Sequence, residues 1–543
     1  MKTRGALFLV TSILMVGLAT SPFFTAQTPL KIKATPLALG DPWSVLWMHP
    51  NYYYGFTAIA TTASAVFIAG TICNAGPAMI DIFDNNIILL KYTNEGELLW
   101  NKSWATSHDN SAPSYDEVPY ALALSVDALY LAGETTTGPY GTNGLLIKLD
   151  FEGNQLWNIS FGNFYTEEFT CIGIGSDGVY VGGILWRTGT DGDALIAKFD
   201  FNGNELWSEV WDMAAVDQAY GVAVGSDGVY LVGDFGPTLD GTSNNAFLAK
   251  YSFTGVQMWN STWGGLQKDL ARAVTVNDTS VYVTGSTNSF SPISSGALFL
   301  RKYNSTNSLL WEVIDTTGLD HEGIGLSASE DTTYVGSKYG DPAAGYQVNL
   351  LNFNATGELN WKRAWGGAGN CQPYGYAPSD DGYYFAGSTR GWLTPLTNGF
   401  FVKYGADGEV SPGPVELFEP TFLNPYGSLI LSWTQAFDPN STIDGYELQM
   451  DSTPFFNIPD RTWNVNTTNL VLSNHPPGTY YFRLRARDHT PLFGPWSNLI
   501  EVTISLVPPA LFNPWLAPLV LVLGILVVVA ITLWIFIRQR RFQ

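Results

Sequence analysis

One stretch of this chain recurs six times, always ending in tryptophan. It reads LLKYTNEGELLW to Trp100, LIKLDFEGNQLW to Trp157, IAKFDFNGNELW to Trp207, LAKYSFTGVQMW to Trp259, LRKYNSTNSLLW to Trp311 and LLNFNATGELNW to Trp361. The intervals are 57, 50, 52, 52 and 50 residues. Self-similarity at a period of this size calls for an array of equal units, a solenoid or a propeller. A second motif, of the form V-Y-V-x-G, keeps the same beat near Gly70, Gly133, Gly183, Gly233, Gly285, Gly336 and Gly387. Each unit holds short β-branched and aromatic runs, such as YGVAV, VYLVG, AFLAKYSF and VQMWNSTW in the fourth. Between them lie SDG- and NEG-type spellings, in which Gly or Asn supplies the positive φ of a tight hairpin. Four antiparallel strands in about fifty residues is the pattern of a propeller blade, so the repeat region is expected to be all-β.

The ends of the array complement each other. The last copy, FVKYGADGEV from Phe401, stops without its Trp, and WSVLW, Trp43 to Trp47, precedes the first unit and matches the missing strand. The sequence therefore predicts a seven-bladed β-propeller over residues 43–410 whose last blade takes its outer strand from the N-terminus. Such closure removes the exposed edge of an open array. The innermost strands carry small residues (AIA at Ala58, ALAL at Ala121, CIGIG at Cys171, GVAVG at Gly221), as crowding near a propeller axis requires.

WGGLQKDLARAVTVNDTSVYVTGST, Trp263 to Thr287, resembles the bacterial β-propeller repeat abbreviated SBBP, found in exported surface proteins, and DALIAKFDFNGNELW resembles repeats of quinoprotein-type propellers. The resemblance implies architecture rather than activity. Beyond the linker-like SPGPVELFEP, residues 415–505 are similar to a fibronectin type III domain, carried by LSWT, YYFRLRA and GPWSN. In GTYYFRLRARD, Tyr480, Phe482, Leu484 and Ala486 alternate with Arg483, Arg485 and Arg487, the pattern of a half-buried strand.

Both ends read as membrane signals. Lys2 and Arg4 precede an apolar run, Ala6 to Leu18, so residues 1–26 are expected to be a signal peptide. Residues 506–515 form a Pro-rich stalk, and 516–537 is an uncharged run long enough to span a bilayer as a helix. The Arg-rich tail 538–543 would stay cytoplasmic, which places the bulk of a single-pass protein outside the cell. Between these ends the chain is strongly acidic; in total it has 48 Asp and Glu against 26 Lys and Arg. That balance excludes a nucleic-acid partner, which needs a basic surface. Eight N-x-S/T sequons, at Asn101, Asn158, Asn260, Asn277, Asn304, Asn354, Asn440 and Asn466, are glycosylation acceptors if the chain is exported.

Catalytic motifs are missing. The five His residues are scattered, and no HExxH, GxSxG or phosphate-binding Gly-rich loop occurs. Related quinone-dependent enzymes typically show an adjacent Cys pair, whereas this chain has only Cys73, Cys171 and Cys371. Cys73 and Cys371 are expected in neighbouring loops of a closed ring, where a disulfide would staple the closure. The loops entering the inner strands define an acidic face with Asp116, Glu117, Glu167, Glu168, Asp217, Asp269, Asp320 and Glu322, joined by Asp191, Asp193, Asp234 and Asp240. Hard oxygens in that number suit Ca²⁺ or a plain solvated rim. Loop aromatics Tyr115, Tyr140, Tyr165, Trp186, Tyr339 and Trp392 are candidates for contact with a sugar or protein. The expected function is extracellular ligand capture or adhesion without catalysis. A polysaccharide-degrading or quinone-dependent enzyme and a structural envelope component are the alternatives. Acidic pairs converging on the channel would favour the enzyme.

Overall fold

In a computed structural model the chain is described at residues 30–33 and, with breaks at loops, at 43–504; the principal breaks are 49–51, 75–84, 105–116, 137–140, 163–165, 238–241, 292–295 and 391–397. The signal, stalk, apolar and tail segments expected at 1–26 and 506–543 lie outside the described residues. Among the described residues no helix is long and apolar enough to cross a membrane.

Every described element is a β-strand. The repeat region is a succession of small antiparallel sheets, each a meander of four strands. The second runs Glu117–Leu124, Leu129–Thr136, Thr142–Leu149, Gln155–Phe161, paired in that order. The strand pairing between the third and fourth sheets is a single parallel bridge, Gly192 to Val216. Seven such sheets follow one another among the described residues. Each first strand packs on the first strand of the next sheet, and the last of them, Asn370–Ser379, packs on the earliest, Tyr52–Thr61. This ring of radial sheets is a β-propeller arrangement. The seventh sheet is completed by Trp43–Met48, antiparallel to Asn398–Tyr404 with Trp47 opposite Gly399. A further strand, Leu30–Lys33, pairs outside it and was not foreseen.

The recurring residues meet at the seams between sheets. In five of the seven sheets a third-strand lysine lies over a second-strand tyrosine, for instance Lys148 over Tyr130 at 5.3 Å, Lys198 over Tyr180 at 5.0 Å and Lys250 over Tyr230 at 5.0 Å; the first sheet has Phe67 under Lys91, and the sixth has Asn352 in the lysine's place. The aspartate of the SDG turn pairs with the same ammonium, Asp227 with Lys250 at 2.6 Å and Asp381 with Lys403 at 2.7 Å. The lysine then donates across the seam to a turn carbonyl of the following sheet, Lys148 to Phe201 O at 3.2 Å and Lys198 to Phe253 O at 3.1 Å. The repeated Trp donates to the same carbonyls, Trp157 Nε1 to Phe201 O at 3.2 Å and Trp207 Nε1 to Phe253 O at 3.0 Å. A turn glycine with positive φ lets the backbone settle on that indole; a Cβ on Gly153 would sit 2.6 Å from Trp100. At the closing seam Lys403 donates to Asn94 O at 3.3 Å, across 309 residues of chain, and Thr61 Oγ1 donates to Pro378 O at 2.8 Å.

The C-terminal module is a sandwich. One sheet has three strands, Thr421–Asn424, Ser428–Ser432 and Asn469–Leu472. The other has four, in the order Arg461–Val465, Ile443–Asp451, Gly478–Asp488, Ile500–Ile504. Leu429, Leu431, Trp433, Leu448, Phe482 and Leu484 fill the space between them. The arginine face of Gly478–Asp488 is covered rather than solvated. Arg483 is stacked between Phe456 and Trp496, each at 4.2 Å, and Arg485 between Phe493 and Trp496 at 4.0 and 4.3 Å.

The expected Cys73–Cys371 disulfide is not formed. Cys73, Cys171 and Cys371 are buried thiols, and all three sit in strands, where packing has fixed their side chains, instead of in loops free to meet.

The closing seam depends on Lys403, whose side chain is fully buried. Lys403→Ala leaves Asp381 and the Asn94 carbonyl without their cation, and removing one member of a buried pair costs about 3–5 kcal/mol. Urea denaturation is expected to show that loss for Lys403→Ala and less than about 0.5 kcal/mol for Lys102→Ala, whose contact with Asn154 is exposed.

Candidate functional site

The innermost strand of every sheet carries a β-bulge. The register slips between Phe56 and Ala58, Pro119 and Ala121, Phe169 and Cys171, Ala219 and Gly221, Ala271 and Ala273, Gly323 and Gly325, and Pro373 and Gly375. The extra residues are Thr57, Tyr120, Thr170, Tyr220, Arg272, Ile324 and Tyr374. A bulge re-aims its side chain out of the ladder, and all seven line one cavity of about 590 Å³. The bulge also explains the glycine of V-Y-V-x-G in six of the sheets; in the sixth, Ser337 pairs at that position and Gly336 lies one residue before it. In those six the kinked strand pushes a carbonyl into the place a Cβ would take; on Gly183 a Cβ would lie 1.7 Å from Glu168 O, and on Gly233 1.9 Å from Gln218 O.

The cavity is graded along its axis. Two residues before the bulge, Glu168, Gln218, Glu322 and Gln372 make a polar tier. One residue after it stand Ala58, Ala121, Cys171, Gly221, Ala273, Gly325 and Gly375, small because adjacent inner strands crowd; a Cβ on Gly221 would lie 3.0 Å from Arg272 O. Beyond these, Ile59, Leu122, Ile172, Val222, Val274 and Leu326 form an apolar floor with Tyr376.

Charge in the polar tier is arranged asymmetrically. Glu322 receives Arg272 Nε at 3.0 Å and Lys338 Nζ at 2.9 Å. Burial works to raise its pKa, but the two cations outweigh it and hold the carboxyl at about 2. The Arg272 guanidinium also lies 4.8 Å over the Tyr220 ring. Tyr220 donates to Gln218 Oε1 at 3.0 Å and Tyr374 to Gln372 Oε1 at 2.9 Å, so each hydroxyl and amide is held in a set orientation. Glu168 has no ion pair among the described residues, and burial raises its carboxyl above the usual carboxylate range. Tyr374 is about half exposed and presents an open aromatic edge at the mouth. The arrangement offers aromatic faces, fixed amides, a neutralised carboxylate and one carboxylate with a raised pKa within a single concave space.

Most residues expected on a solvated acidic face lie elsewhere. Glu117, Glu167, Asp217 and Asp269 are buried at the strand position three residues before the bulge. Tyr54, His321 and Cys371 hold that position in the other sheets. There the carboxylate caps the turn between sheets: Asp217 accepts from Met213 N at 2.7 Å and Ala214 N at 3.1 Å, and Asp269 from Gly265 N at 3.0 Å. Asp320 accepts from Tyr346 Oη at 2.7 Å, and Asp234 from Asn244 Nδ2 at 2.9 Å. Among the described residues of that set, only Glu168 and Glu322 reach the cavity. Trp186 and Tyr339 line no part of it. Trp186 packs against Gly192, and Tyr339 lies beside His321 with Lys362 3.7 Å above its ring. Asp116, Asp240, Tyr115, Tyr140, Tyr165 and Trp392 are outside the described residues. Of the sequons, Asn101, Asn158, Asn260 and Asn466 are exposed. Asn277, Asn304 and Asn354 instead use their side-chain oxygen to accept turn amides, for instance from Ser280 N and Ser308 N, each at 2.8 Å.

No family model and no curated relative matches this sequence. Among solved structures, similarity extends to the β-propeller domain of the Trilobed protease from Pyrococcus furiosus, at 8% identity over 62% of this chain and 91% of that one, with a TM-score of 0.37. The polysaccharide lyase Uly1 aligns at 10% identity over 64% and 89% with a TM-score of 0.38, and the phage phi92 endosialidase at 9% over 82% and 89% with 0.36. At such distances the fold rests on this chain's own strand pairing, and the site on its own residues.

Because Glu322 titrates lower in the folded state than in an unfolded chain, its ion pairs add stability above about pH 4.5 that is lost as pH falls toward 2. The contribution is on the order of 3 kcal/mol. Glu322→Gln is expected to lower the melting temperature at pH 7 and to flatten its fall between pH 4.5 and 2, read by calorimetry across that range.

Proposed function

We propose that this chain is an exported, membrane-anchored binding protein whose ligand enters the axial cavity of a closed seven-bladed propeller. The reading is supported by seven bulge residues converging on one cavity. Propeller blades of SBBP type would account for the repeat, and the three-plus-four strand order of the second module supports reading it as a fibronectin type III domain, which would serve as spacer. The signal at 1–26, the run at 516–537 and the Arg-rich tail supply export and anchorage, and leave the exposed sequons open to glycans.

The chemistry of the cavity favours a polyhydroxylated ligand such as an oligosaccharide. Sugars present apolar C–H faces and dense hydroxyls. Tyr120, Tyr220 and Tyr374 offer rings for the first; Gln218, Gln372 and the Glu322–Arg272 pair offer oriented donors and acceptors for the second. This moves the binding site from the loop rim, where the sequence places it, to the axis.

A second reading has one observation in its favour. Glu168 and Glu322 share the cavity with pKa values driven in opposite directions, the separation that acid–base catalysis exploits. An enzyme of this kind would use Glu168 as the proton carrier, with Glu322 committed to its cations.

A glycan array screened with residues 27–505 tests both. Selective binding that falls at least tenfold in Arg272→Ala and Tyr374→Ala is the expected result. Release of shortened products from a bound glycan, lost in Glu168→Gln while binding persists, would decide for the enzyme. Binding that survives both cavity variants would return the site to the rim.

A further inference from the structure

Three carboxylates converge at the seam between the third and fourth sheets. Asp193 lies near the start of the third strand of one sheet, Asp191–Phe199, Asp212 follows its fourth strand, and Asp217 lies in the first strand of the next. Each offers an oxygen within 4.8 Å of the others. Asp193 and Asp217 are fully buried, and Asp212 is exposed.

The repeat shows how unusual this is. The same three positions at the next seam are Asn245, Gly264 and Asp269, and at the preceding one Asn143, Gly162 and Glu167. At the next seam they also meet in space: a Cβ on Gly264 would lie 2.0 Å from Asn245 Oδ1 and 2.7 Å from Asp269 Oδ2. A neutral amide, a glycine and one capping carboxylate therefore satisfy the fold. At the Asp193 seam both neutral positions have become acidic, which the turn itself does not require.

The local cation balances only part of that charge. Arg187 Nη1 lies 2.7 Å from Asp193 Oδ2 and 3.6 Å from Asp212 Oδ2, on a side chain that is 41% exposed. Asp217 spends Oδ2 on Met213 N and Ala214 N. Its Oδ1 is buried without a hydrogen-bond partner among the described residues, as is Asp193 Oδ1. Two buried anionic oxygens that no protein donor reaches are costly unless a cation meets them.

We propose that Asp193, Asp212 and Asp217 form a Ca²⁺ site, with Arg187 as a displaceable occupant. Three carboxylates on one side, and water on the side where Asp212 opens to solvent, give the all-oxygen shell that hard divalent cations take. Arg187 retains room to swing outward. Ca²⁺ would tie the fourth strand of one sheet to the first strand of the next, beside the backbone bridge from Gly192 to Val216 that already joins the two sheets. The site is separate from the axial cavity, whose lining includes none of the three.

The test is titration of the full-length protein with Ca²⁺ by calorimetry, and with Tb³⁺ by luminescence, for which the buried indole of Trp211, adjacent to Asp212, is a built-in sensitiser. One equivalent is expected to bind with a Kd below 1 mM. Affinity should fall at least tenfold in Asp212→Gly and in the double variant Asp193→Asn/Asp212→Gly, which copies the residues the next seam uses and is therefore compatible with the fold. Arg187→Ala should tighten binding about tenfold by removing the competing charge, and exposed Asp278→Asn should change nothing. Absence of a saturable site in both the wild type and Arg187→Ala, with unchanged melting temperatures, would overturn the proposal. So would equal affinity in the double variant.

Discussion

The structure depends on one small assembly that recurs at several of its seams: a lysine held over a tyrosine, fixed by a turn aspartate, and donating to a carbonyl of the next sheet. No sheet here could stand alone, because each exposes a flat apolar face of about four strands. Apolar packing between sheets is non-directional and would tolerate slippage. The lysine and the tryptophan remove that freedom by converging on one carbonyl, as Lys148 and Trp157 do on Phe201 O. The ammonium is affordable in so buried a place because the Tyr face, the Asp and the carbonyl together replace its water. The ring closes with the same parts, since Lys403 finds Asn94 O as its counterparts find the next turn. Closure thus repeats an internal seam and needs no disulfide.

The same economy shapes the site. A bulge bends each inner strand toward the axis and turns one residue of each strand into the channel. In six of the sheets the partner glycine exists because of the bulge: a Cβ on Gly183 would lie 1.7 Å from Glu168 O. A motif that looks like a strand signature, V-Y-V-x-G, is therefore also the footprint of the cavity. The geometry is uniform around the ring while the residues it presents are not: Thr57, Tyr120, Thr170, Tyr220, Arg272, Ile324 and Tyr374 share neither charge nor size.

The fold was legible because its rules are local and periodic. Tryptophan spacing, turn glycines and the orphaned strand Trp43–Trp47 each name a pairing that the sheets contain. The site was less legible for two reasons. A bulge changes which residues share a face, so a two-residue alternation misassigns the residue that faces the axis. The crowding of Ala58, Ala121 and Gly221 was readable, but the odd residue beside each, the one that lines the cavity, was hidden in the same run. Acidic residues misled in the opposite direction. Asp217 and Asp269 look like loop carboxylates, yet they accept amides from the turn between sheets, and the demand for that acceptor cannot be seen before the turn has a shape. The cysteines misled likewise, because adjacency around the ring does not bring two strand residues together.

A repeat protein separates its columns. Positions that every unit must fill alike carry the fold, and substitution there breaks a seam, a turn or a bulge. Positions where units differ are released from that duty, and chemistry collects in them. Both sites proposed for this chain obey the division. The bulge column holds its backbone shape in all seven sheets while its side chains diverge, and the seam column turns from Asn and Gly to Asp and Asp at one place only. In the second case the departure adds unneutralised charge beside a buried carboxylate, a change that works against the folded state unless something binds there. Departure from the repeat thus marks function most sharply where it costs stability. By that measure the Asp193 seam is a stronger signal than the acidic balance of the whole chain, because surface charge is tolerated anywhere and buried charge is not.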